Sequence, residues 1–415
     1  MEKSTAPTPT PPPPPTPKTR KWYHLLTLDL FLHTLSQTLF HPFIAWILVL
    51  CLRAVATPTH HPSFVIATSW AAFLTVFTAL RYLNHRLADG PPRRLRDFAH
   101  AEEDVAEARF GQQQQHEGHG EEEEEEEEEE VIVITGGASG LGRSIAHIYG
   151  MRGASVAVLD VRDPLERQQW EQLSGVEYYQ CDIGDRRAVE GVAKRIEADL
   201  GKPSVLINCA AAPVHGVPLV SLSADAWSRT MRTNLLGPFH MIRAFLPHML
   251  RSSRGGVIVN VSSVLAHLTP AGLSDYSASK AALSALHRSL EAEIRAAGQD
   301  HKVKTILVEP GQLATPLFDG IETPNHFFAP VVEPIHVAKE IVAAIDAGKG
   351  GVIRQPTYAA WVNWYAVLPA SIQRFARYLS GIDRAVANSA LKKTIEPQAV
   401  DSSTAESETD DTDKH

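Results

Sequence analysis

Val131-Ile132-Val133-Ile134-Thr135-Gly136-Gly137-Ala138-Ser139-Gly140-Leu141-Gly142 decides the fold. All five residues from Val131 to Thr135 are β-branched, which favours a strand, and the run is apolar without alternation, as in a strand covered on both faces. The glycine-rich turn then leads into a helical pattern from Arg143 to Arg152. Glycines at such a turn let the backbone approach a pyrophosphate, which rests on the unsatisfied N–H groups at the helix start. The spacing is Gly-x-x-x-Gly-x-Gly and not the commoner Gly-x-Gly-x-x-Gly, so taken alone the loop also fits a tight turn without a ligand.

A second apolar strand, Ser155 to Leu159, ends in Asp160, eighteen residues beyond Gly142. A carboxylate at this place accepts hydrogen bonds from the adenosine ribose hydroxyls and repels a 2′-phosphate, so NAD(H) is favoured. Arg162, two residues on, softens that preference and keeps NADP(H) possible.

Asp275-Tyr276-Ser277-Ala278-Ser279-Lys280 carries the chemistry, with Ser263 thirteen residues before Tyr276. On a helix, positions i and i+4 share a face, so the Lys280 ammonium is expected beside the Tyr276 phenol, where it favours the phenolate. Such a tyrosine trades a proton with an alcohol or carbonyl near neutral pH. A lone Tyr-x-x-x-Lys pair is weak evidence; its order relative to the glycine turn and Asp160 strengthens it.

From Val131 to Pro356 the chain resembles the short-chain dehydrogenase/reductase family, and within it the membrane-associated retinol and 17β-hydroxysteroid dehydrogenase branch. The family's Thr-Gly-x-x-x-Gly-x-Gly stands as Thr135 to Gly142, which by resemblance makes Thr135, Gly136, Ser139, Gly140, Leu141 and Gly142 cofactor residues. Its adenine-contacting acid corresponds to Asp182, followed by Ile183. The Asn-Asn-Ala-Gly segment is altered to Asn208-Cys209-Ala210-Ala211, keeping Asn208 and Ala210 but replacing a glycine with Ala211. Thr233-Asn234-Leu235-Leu236-Gly237 supplies the family's asparagine, Asn234, and the spacing to Tyr276 in Asn260-Val261-Ser262-Ser263 selects Ser263. Pro310-Gly311-Gln312-Leu313-Ala314-Thr315 is similar to the segment that holds the nicotinamide amide, implicating Pro310, Gly311, Leu313 and Thr315.

The resemblance implies catalysis by Asn234, Ser263, Tyr276 and Lys280. Tyr276 takes the substrate proton, Ser263 holds the substrate oxygen, Lys280 lowers the phenol pKa and binds the nicotinamide ribose, and Asn234 supports a proton-returning water chain. The alternative is an inactive membrane or lipid-droplet scaffold that keeps the dinucleotide fold. Nothing would oblige such a scaffold to retain all four residues.

Strands expected near Val131, Ser155, Val176, Ser204, Gly256, Val303 and Gly351 alternate with helices such as Arg186–Leu200 and Ser277–Ala297. This is an α/β chain with a doubly wound, seven-stranded parallel Rossmann sheet. The family commonly dimerises through the helix led by this tyrosine and its predecessor, so a homodimer is possible.

The 415 residues divide into six parts. Residues 1–21 form a Pro/Thr-rich disordered tail without a cleavable leader pattern. Residues 22–87 are a membrane-anchoring helical region: Ser63 to Leu80 lacks charge, while the earlier run, Leu30 to Leu52, is interrupted by His33, Gln37, His41 and Pro42. A hairpin of two membrane helices turning near Thr57 to Pro62 is expected. Lys18, Arg20 and Lys21 before it and Arg81, Arg86, Arg93, Arg94 and Arg96 after it place both ends in the cytosol. A pair of helices lying on the membrane or packed on the enzyme is the alternative.

Residues 88–130 are a charged linker whose ten glutamates, Glu121 to Glu130, exceed the whole net charge of -9. It reads as an extended spacer, and His116 and His119 within it lack the fixed geometry of a metal site, so no metal is assigned. The catalytic Rossmann domain spans 131–356, an aromatic amphipathic extension 357–390, and an acidic disordered tail 391–415. Three cysteines, Cys51, Cys181 and Cys209, form no disulfide framework and imply a reducing compartment. No basic patch with interleaved aromatics points to nucleic acid.

Leu317, Phe318, Ile321, Phe327 and Phe328, with Tyr358, Trp361, Trp364, Tyr365, Leu368, Phe375 and Tyr378, make an apolar lid and extension. They suit either a lipophilic alcohol, ketone or aldehyde of retinoid, steroid or long-chain lipid type, or an interfacial belt or dimer packing. The expected location is the endoplasmic reticulum or lipid-droplet membrane, catalytic domain toward the cytosol.

Overall fold

Seven short apolar runs pair into one parallel sheet: β1 Val131–Thr135, β2 Ser155–Asp160, β3 Val176–Gln180, β4 Pro203–Asn208, β5 Gly256–Val261, β6 Val303–Val308 and β7 Gly351–Ile353. The computed structural model of the protein describes residues 27–89, 93, 130–162, 173, 175–318, 321, 323, 325–384 and 386. The Pro/Thr tail, Lys18, Arg20, Lys21, Arg94, Arg96, the poly-Glu run except Glu130, His116, His119 and the acidic tail lie outside these residues.

Strand order is β3-β2-β1-β4-β5-β6-β7, and every pairing is parallel. The order reverses between β1 and β4, so a crevice opens where Thr135 and Asn208, register partners, end their strands. All residues of β1, β5 and β6 are buried, which accounts for the unalternating apolar stretches Val131–Ile134, Val257–Val259 and Ile306–Val308.

The helices, in chain order, are α1 Leu28–Gln37, α2 Pro42–Ala54, α3 Pro62–Asp89, α4 Gly140–Met151, α5 Arg186–Asp199, α6 Ala224–Met231, α7 Gly237–Arg251, α8 Leu265–Leu268, α9 Ser274–Ala296, α10 Pro334–Asp346, α11 Val362–Val367 and α12 Ala370–Ser380. One sheet face packs Ile132, Ile134, Val257 and Val259 against α4 and α10; the other packs Val131, Val133, Leu206 and Ile258 against α5, α7 and α9. Each such fully buried aliphatic side chain contributes about 1.5–3 kcal/mol relative to exposure.

Before the sheet, α2 and α3 form an antiparallel apolar pair through Ala45, Val49, Ala67, Ala71 and Leu74, with the Trp46 indole donating to Thr75 at 2.9 Å. The earlier of the two expected membrane helices is not continuous. It breaks between Gln37 and Pro42 into α1 and α2, bent by 49°. Pro42 starts α2 at a position where its missing N–H costs nothing, but it would interrupt a longer helix. Among the described residues only Pro62–Asn84 is long and apolar enough to cross a bilayer alone.

Among the described residues of the linker, Arg93 meets the catalytic unit, its backbone N–H donating to the Gly348 carbonyl at 2.9 Å. Arg93 is buried, donates through Nε to the Arg254 carbonyl at 2.7 Å, and pairs with Glu130 at 3.1 Å. Burial lowers the Arg93 pKa and raises that of Glu130, and their mutual attraction opposes both shifts.

Candidate active site

Three groups of side chains meet at the carboxyl end of the sheet. The first is the glycine turn. Gly136 has φ +66°, and a Cβ there would lie 2.6 Å from the Ala210 Cα; a Cβ on Gly142 would lie 2.5 Å from the Gly136 carbonyl oxygen. Only glycine permits this closeness. Thr135 Oγ1 accepts from the Cys209 and Ala210 N–H groups at 3.2 Å each, joining β1 to β4 across the crevice. Ser139 precedes α4 in extended conformation and leaves the first turn of N–H groups without a side-chain cap. Buried Leu141 anchors that turn from below.

Asp160 closes the next position. Its Oδ2 accepts from the Ala138 N–H at 3.1 Å and its Oδ1 from the Arg162 N–H at 3.2 Å. A carboxylate offers about four acceptor sites, so two remain for vicinal hydroxyls. A closed glycine cradle, uncapped helix N–H groups and an acid at the end of β2 fit an adenosine dinucleotide.

Asp182 and Ile183 follow β3. Asp182 is exposed, accepts from the Gly184 N–H at 2.9 Å and lies 3.4 Å from the Arg232 guanidinium; Ile183 is buried against Gly237. Asn208 is buried and donates to Asn260 at 2.8 Å, tying β4 to β5. In the Pro310–Thr315 segment the Gly311 N–H donates to the Gln355 carbonyl at 2.7 Å and Leu313 bridges Val332. Thr315 stands over the glycine turn, its methyl 3.1 Å from a Cβ built on Gly140.

The second group is Ser263, Tyr276 and Lys280, all buried. Ser263 sits just beyond β5, and Tyr276 and Lys280 lie on the opening turns of α9. The Ser263 hydroxyl accepts from the Leu265 N–H at 3.1 Å and donates to the Pro310 carbonyl at 3.4 Å. Lys280 Nζ donates to the Val261 carbonyl at 2.8 Å and lies 5.7 Å from the centroid of the Tyr276 ring.

That geometry differs from the expected lowering of the phenol by the ammonium. Burial pushes the Tyr276 phenol well above its ordinary value, and the opposing pull comes from the Ser263 hydroxyl. Burial lowers Lys280 to about 8. With Nζ drawn toward the Val261 carbonyl, the cation stands off the ring at a cation–π distance.

Asn234 joins them from a π-helical turn, Arg232–Leu236, between α6 and α7. Its Oδ1 accepts from the Ala212 N–H at 2.7 Å and its Nδ2 donates to Ser279 Oγ at 2.9 Å; Ser279 donates in turn to the Tyr276 carbonyl at 2.7 Å. The amide is therefore committed to fixing α9 beside the β4 loop.

Two polar clusters around these residues were not legible as such in the sequence. Asp275 is buried and accepts from His215 Nδ1 at 2.8 Å and Thr230 at 2.9 Å, clamping the loop after β4 to the residue preceding Tyr276. Glu309, also buried, takes His267 at 2.9 Å and Arg354 at 2.8 Å. Burial alone would raise the Glu309 carboxyl, but the His267 and Arg354 bonds outweigh it and leave it lowered. The only sequence signal was an acid directly beside each recognised motif.

The third element is a cavity of about 380 Å³ bounded by Ser263, Phe318, Ile321, Phe328, Tyr358 and Tyr365. The apolar space reaches Ser263, and Phe318, one of its walls, meets the Tyr276 ring edge-on at 5.8 Å.

A family model described as short chain dehydrogenase matches residues 130–325. Short-chain dehydrogenase/reductase 3 of Homo sapiens is 32% identical over 254 residues, covering 60% of this chain and 82% of that protein. The chain belongs to the short-chain dehydrogenase/reductase family. It is thus an NAD(P)-dependent oxidoreductase.

Other relatives of this short-chain dehydrogenase/reductase include an uncharacterized oxidoreductase of Saccharomyces cerevisiae, 31% identical over 258 residues, covering 61% of this chain and 83% of that protein. Retinol dehydrogenase 10 of Xenopus tropicalis is 31% identical over 242 residues, covering 51% and 70%. Among solved structures, a short-chain dehydrogenase from Burkholderia phymatum in complex with NAD aligns with TM-score 0.51 at 26% identity, covering 57% of this chain and 92% of that one. One from Streptomyces avermitilis aligns with TM-score 0.51 at 25% identity, covering 62% and 98%.

Proposed function

We propose that this protein is a membrane-anchored oxidoreductase that interconverts a lipophilic alcohol and its ketone or aldehyde, with NAD(H) preferred over NADP(H) and the catalytic unit facing the cytosol. The apolar cavity that terminates on Ser263 and the Phe318–Tyr276 contact carries the reading. Similarity to a protein named retinol dehydrogenase 10 adds support for a retinoid, steroid or long-chain lipid, and the α2–α3 pair supports an anchor in an endoplasmic reticulum or lipid-droplet membrane.

The dinucleotide, when bound, supplies the acceptor or donor of hydride. Thr135, Gly136, Ser139, Gly140, Leu141 and Gly142 bind its pyrophosphate end; Asp160, Asp182, Ile183, Asn208 and Ala210 line the adenosine side; Pro310, Gly311, Leu313 and Thr315 close over the far end.

Ser263 holds the substrate oxygen through its hydroxyl. Tyr276 exchanges the proton of that oxygen, removing it in oxidation and donating it in reduction. Because burial holds the phenol up, Tyr276 rests protonated, the form needed for reduction, and oxidation requires its hydrogen-bond partners to favour the phenolate. Lys280, with its pKa near 8, keeps a proton within reach and offers its ammonium to a ribose hydroxyl. Asn234 fixes α9, and with it Tyr276, against the β4 loop. The substrate body fills the cavity and excludes water from the transfer.

Replacing Tyr276 with Phe removes the exchangeable proton and keeps the ring. The expected result is a loss of roughly 10²–10⁴-fold in kcat with cofactor binding retained. The measurement follows absorbance of reduced cofactor with a panel of lipophilic alcohols and carbonyls, NAD and NADP in parallel. An unchanged rate in Tyr276→Phe would remove the mechanism.

A further inference from the structure

The C-terminal extension is amphipathic in an inverted sense. Along α12, Ile372, Phe375 and Leu379 recur at i, i+3 and i+7, with Tyr378 beside them, and they point outward with 47%, 62%, 64% and, for Tyr378, 75% of their surface exposed. The small and polar residues Ala376 and Arg377 are half-buried and, with the more exposed Ser380, line the apolar cavity. A helix that packed on a soluble domain in the ordinary way would bury the large apolar face.

The same outward face continues along α11 and across the lid. Trp364 and Val367 are 71% and 76% exposed, and Phe328 on the lid turn is 56% exposed. A contiguous apolar area rich in Trp, Tyr and Phe requires a partner. Tryptophan and tyrosine with an adjacent cation are the residues that settle at the headgroup level of a bilayer, and Arg374 is exposed on the flank of α12.

The chain supplies a direct link from this face to the proposed anchor. The Leu28 N–H donates to the Phe327 carbonyl at 2.9 Å, and Asp29 Oδ1 accepts from the Thr357 N–H at 2.5 Å. Helix α1 is therefore bonded to the lid turn on one side and to the start of the extension on the other. After a four-residue break it continues into α2 and the apolar pair with α3. Wherever α2 and α3 enter a membrane, the aromatic face is brought to that surface.

We infer that the outward face of α11, α12 and the Phe327–Phe328 turn seats in the interfacial layer of the same bilayer that holds the α2–α3 pair. One helix, α12, then separates the cavity from lipid: its polar side faces the substrate space and its apolar side faces acyl chains. This rests on the membrane-anchored reading above, and deepens it by giving the catalytic unit a second, monotopic contact beside its cavity.

Site-directed fluorescence in the full chain tests the contact. Cys51→Ser removes the exposed native thiol; Cys209, held up to about 12 by burial, and Cys181, at about 11, stay unreactive toward bimane at neutral pH. Bimane is then placed singly through Phe375→Cys, Leu379→Cys, Phe73→Cys on α3, or Glu190→Cys on α5. The protein is reconstituted in phosphatidylcholine vesicles with acyl chains brominated near the headgroup.

Bromine should quench the probes at 375 and 379 at least half as strongly as the probe at 73, leaving 190 bright. Bright probes at 375 and 379 beside a quenched probe at 73 would overturn the inference and leave the anchor standing. A bright probe at 73 would defeat the anchor itself, and the inference with it. Bright probes at 375 and 379 together with a doubled mass in detergent would assign the face to a second copy of the chain and equally overturn it.

Discussion

Under the proposed function, Asp160 is the carboxylate that would set cofactor choice. Its oxygens already hold the Ala138 and Arg162 N–H groups, so the charge is fixed in place and not free to swing away from an approaching 2′-phosphate. Two like charges about 4 Å apart at an effective dielectric near 20 repel by about 4 kcal/mol per unit charge, enough to dominate selection. Asp160→Ala is expected to lower kcat/KM with NAD and raise it with NADP, moving the ratio at least about tenfold, which corresponds to about 1.4 kcal/mol. Steady-state rates with each cofactor check it, and an unmoved ratio would mean that Asp160 lies outside the ribose site. Tyr276 and Lys280 illustrate a different lesson. Their spacing placed them together, but burial, which no spacing encodes, raises the phenol and lowers the ammonium.

At the scale of elements, α9 joins Tyr276 and Lys280 to the core and carries a pH liability. His287 on α9 is buried, 3.0 Å from the Asn260 side chain, and burial lowers its pKa to about 4, with the nearby Glu309 charge pulling upward and Arg288 downward. The unfolded histidine titrates near 6.5. Between these values the unfolded state binds the extra proton, so stability is intact above about pH 6.5 and falls as pH drops toward 4. The loss attributable to this group at pH 4.5 is about 2–3 kcal/mol. His287→Asn should flatten the acid side of the profile by roughly that amount, read from urea midpoints at pH 7 and 4.5. Equal slopes for both proteins would remove His287 as the cause. The glycine turn and the strand cores were readable from the sequence because their signals are local. The π turn at Arg232–Leu236 was not, since its reason is the pair of bonds from Asn234 to Ala212 and Ser279, residues remote in the chain.

For the whole molecule, the first helix is tied to the catalytic unit. Leu28 and Asp29 of α1 hold the lid turn and the Thr357 N–H, so the start of the proposed anchoring region and the cavity wall are joined by hydrogen bonds. Removing residues 1–87 should weaken retention on vesicles to what the α11–α12 face alone supplies, and also raise KM for lipophilic substrates several-fold, with kcat within about twofold. An unchanged KM would show that the α1 contacts do not organise the cavity. At its opposite end the unit is strapped by buried Arg93 and Glu130, a pair whose desolvation makes loss of either partner costly, about 3–5 kcal/mol for a buried ion pair.

The sequence by itself determined the alternation of strands and helices, the parallel sheet, the glycine cradle and the placing of Tyr276 and Lys280 one helical turn apart, because period, β-branching and short spacings are properties of neighbouring residues. Only the tertiary structure decided that Asp275 is clamped by His215, that Glu309 is shared by His267 and Arg354, that α12 turns its aromatic face outward, and that α1 bonds to the lid. Those facts depend on where distant segments meet and which of their surfaces lose water, and burial then sets the charge states that the spacing had suggested otherwise.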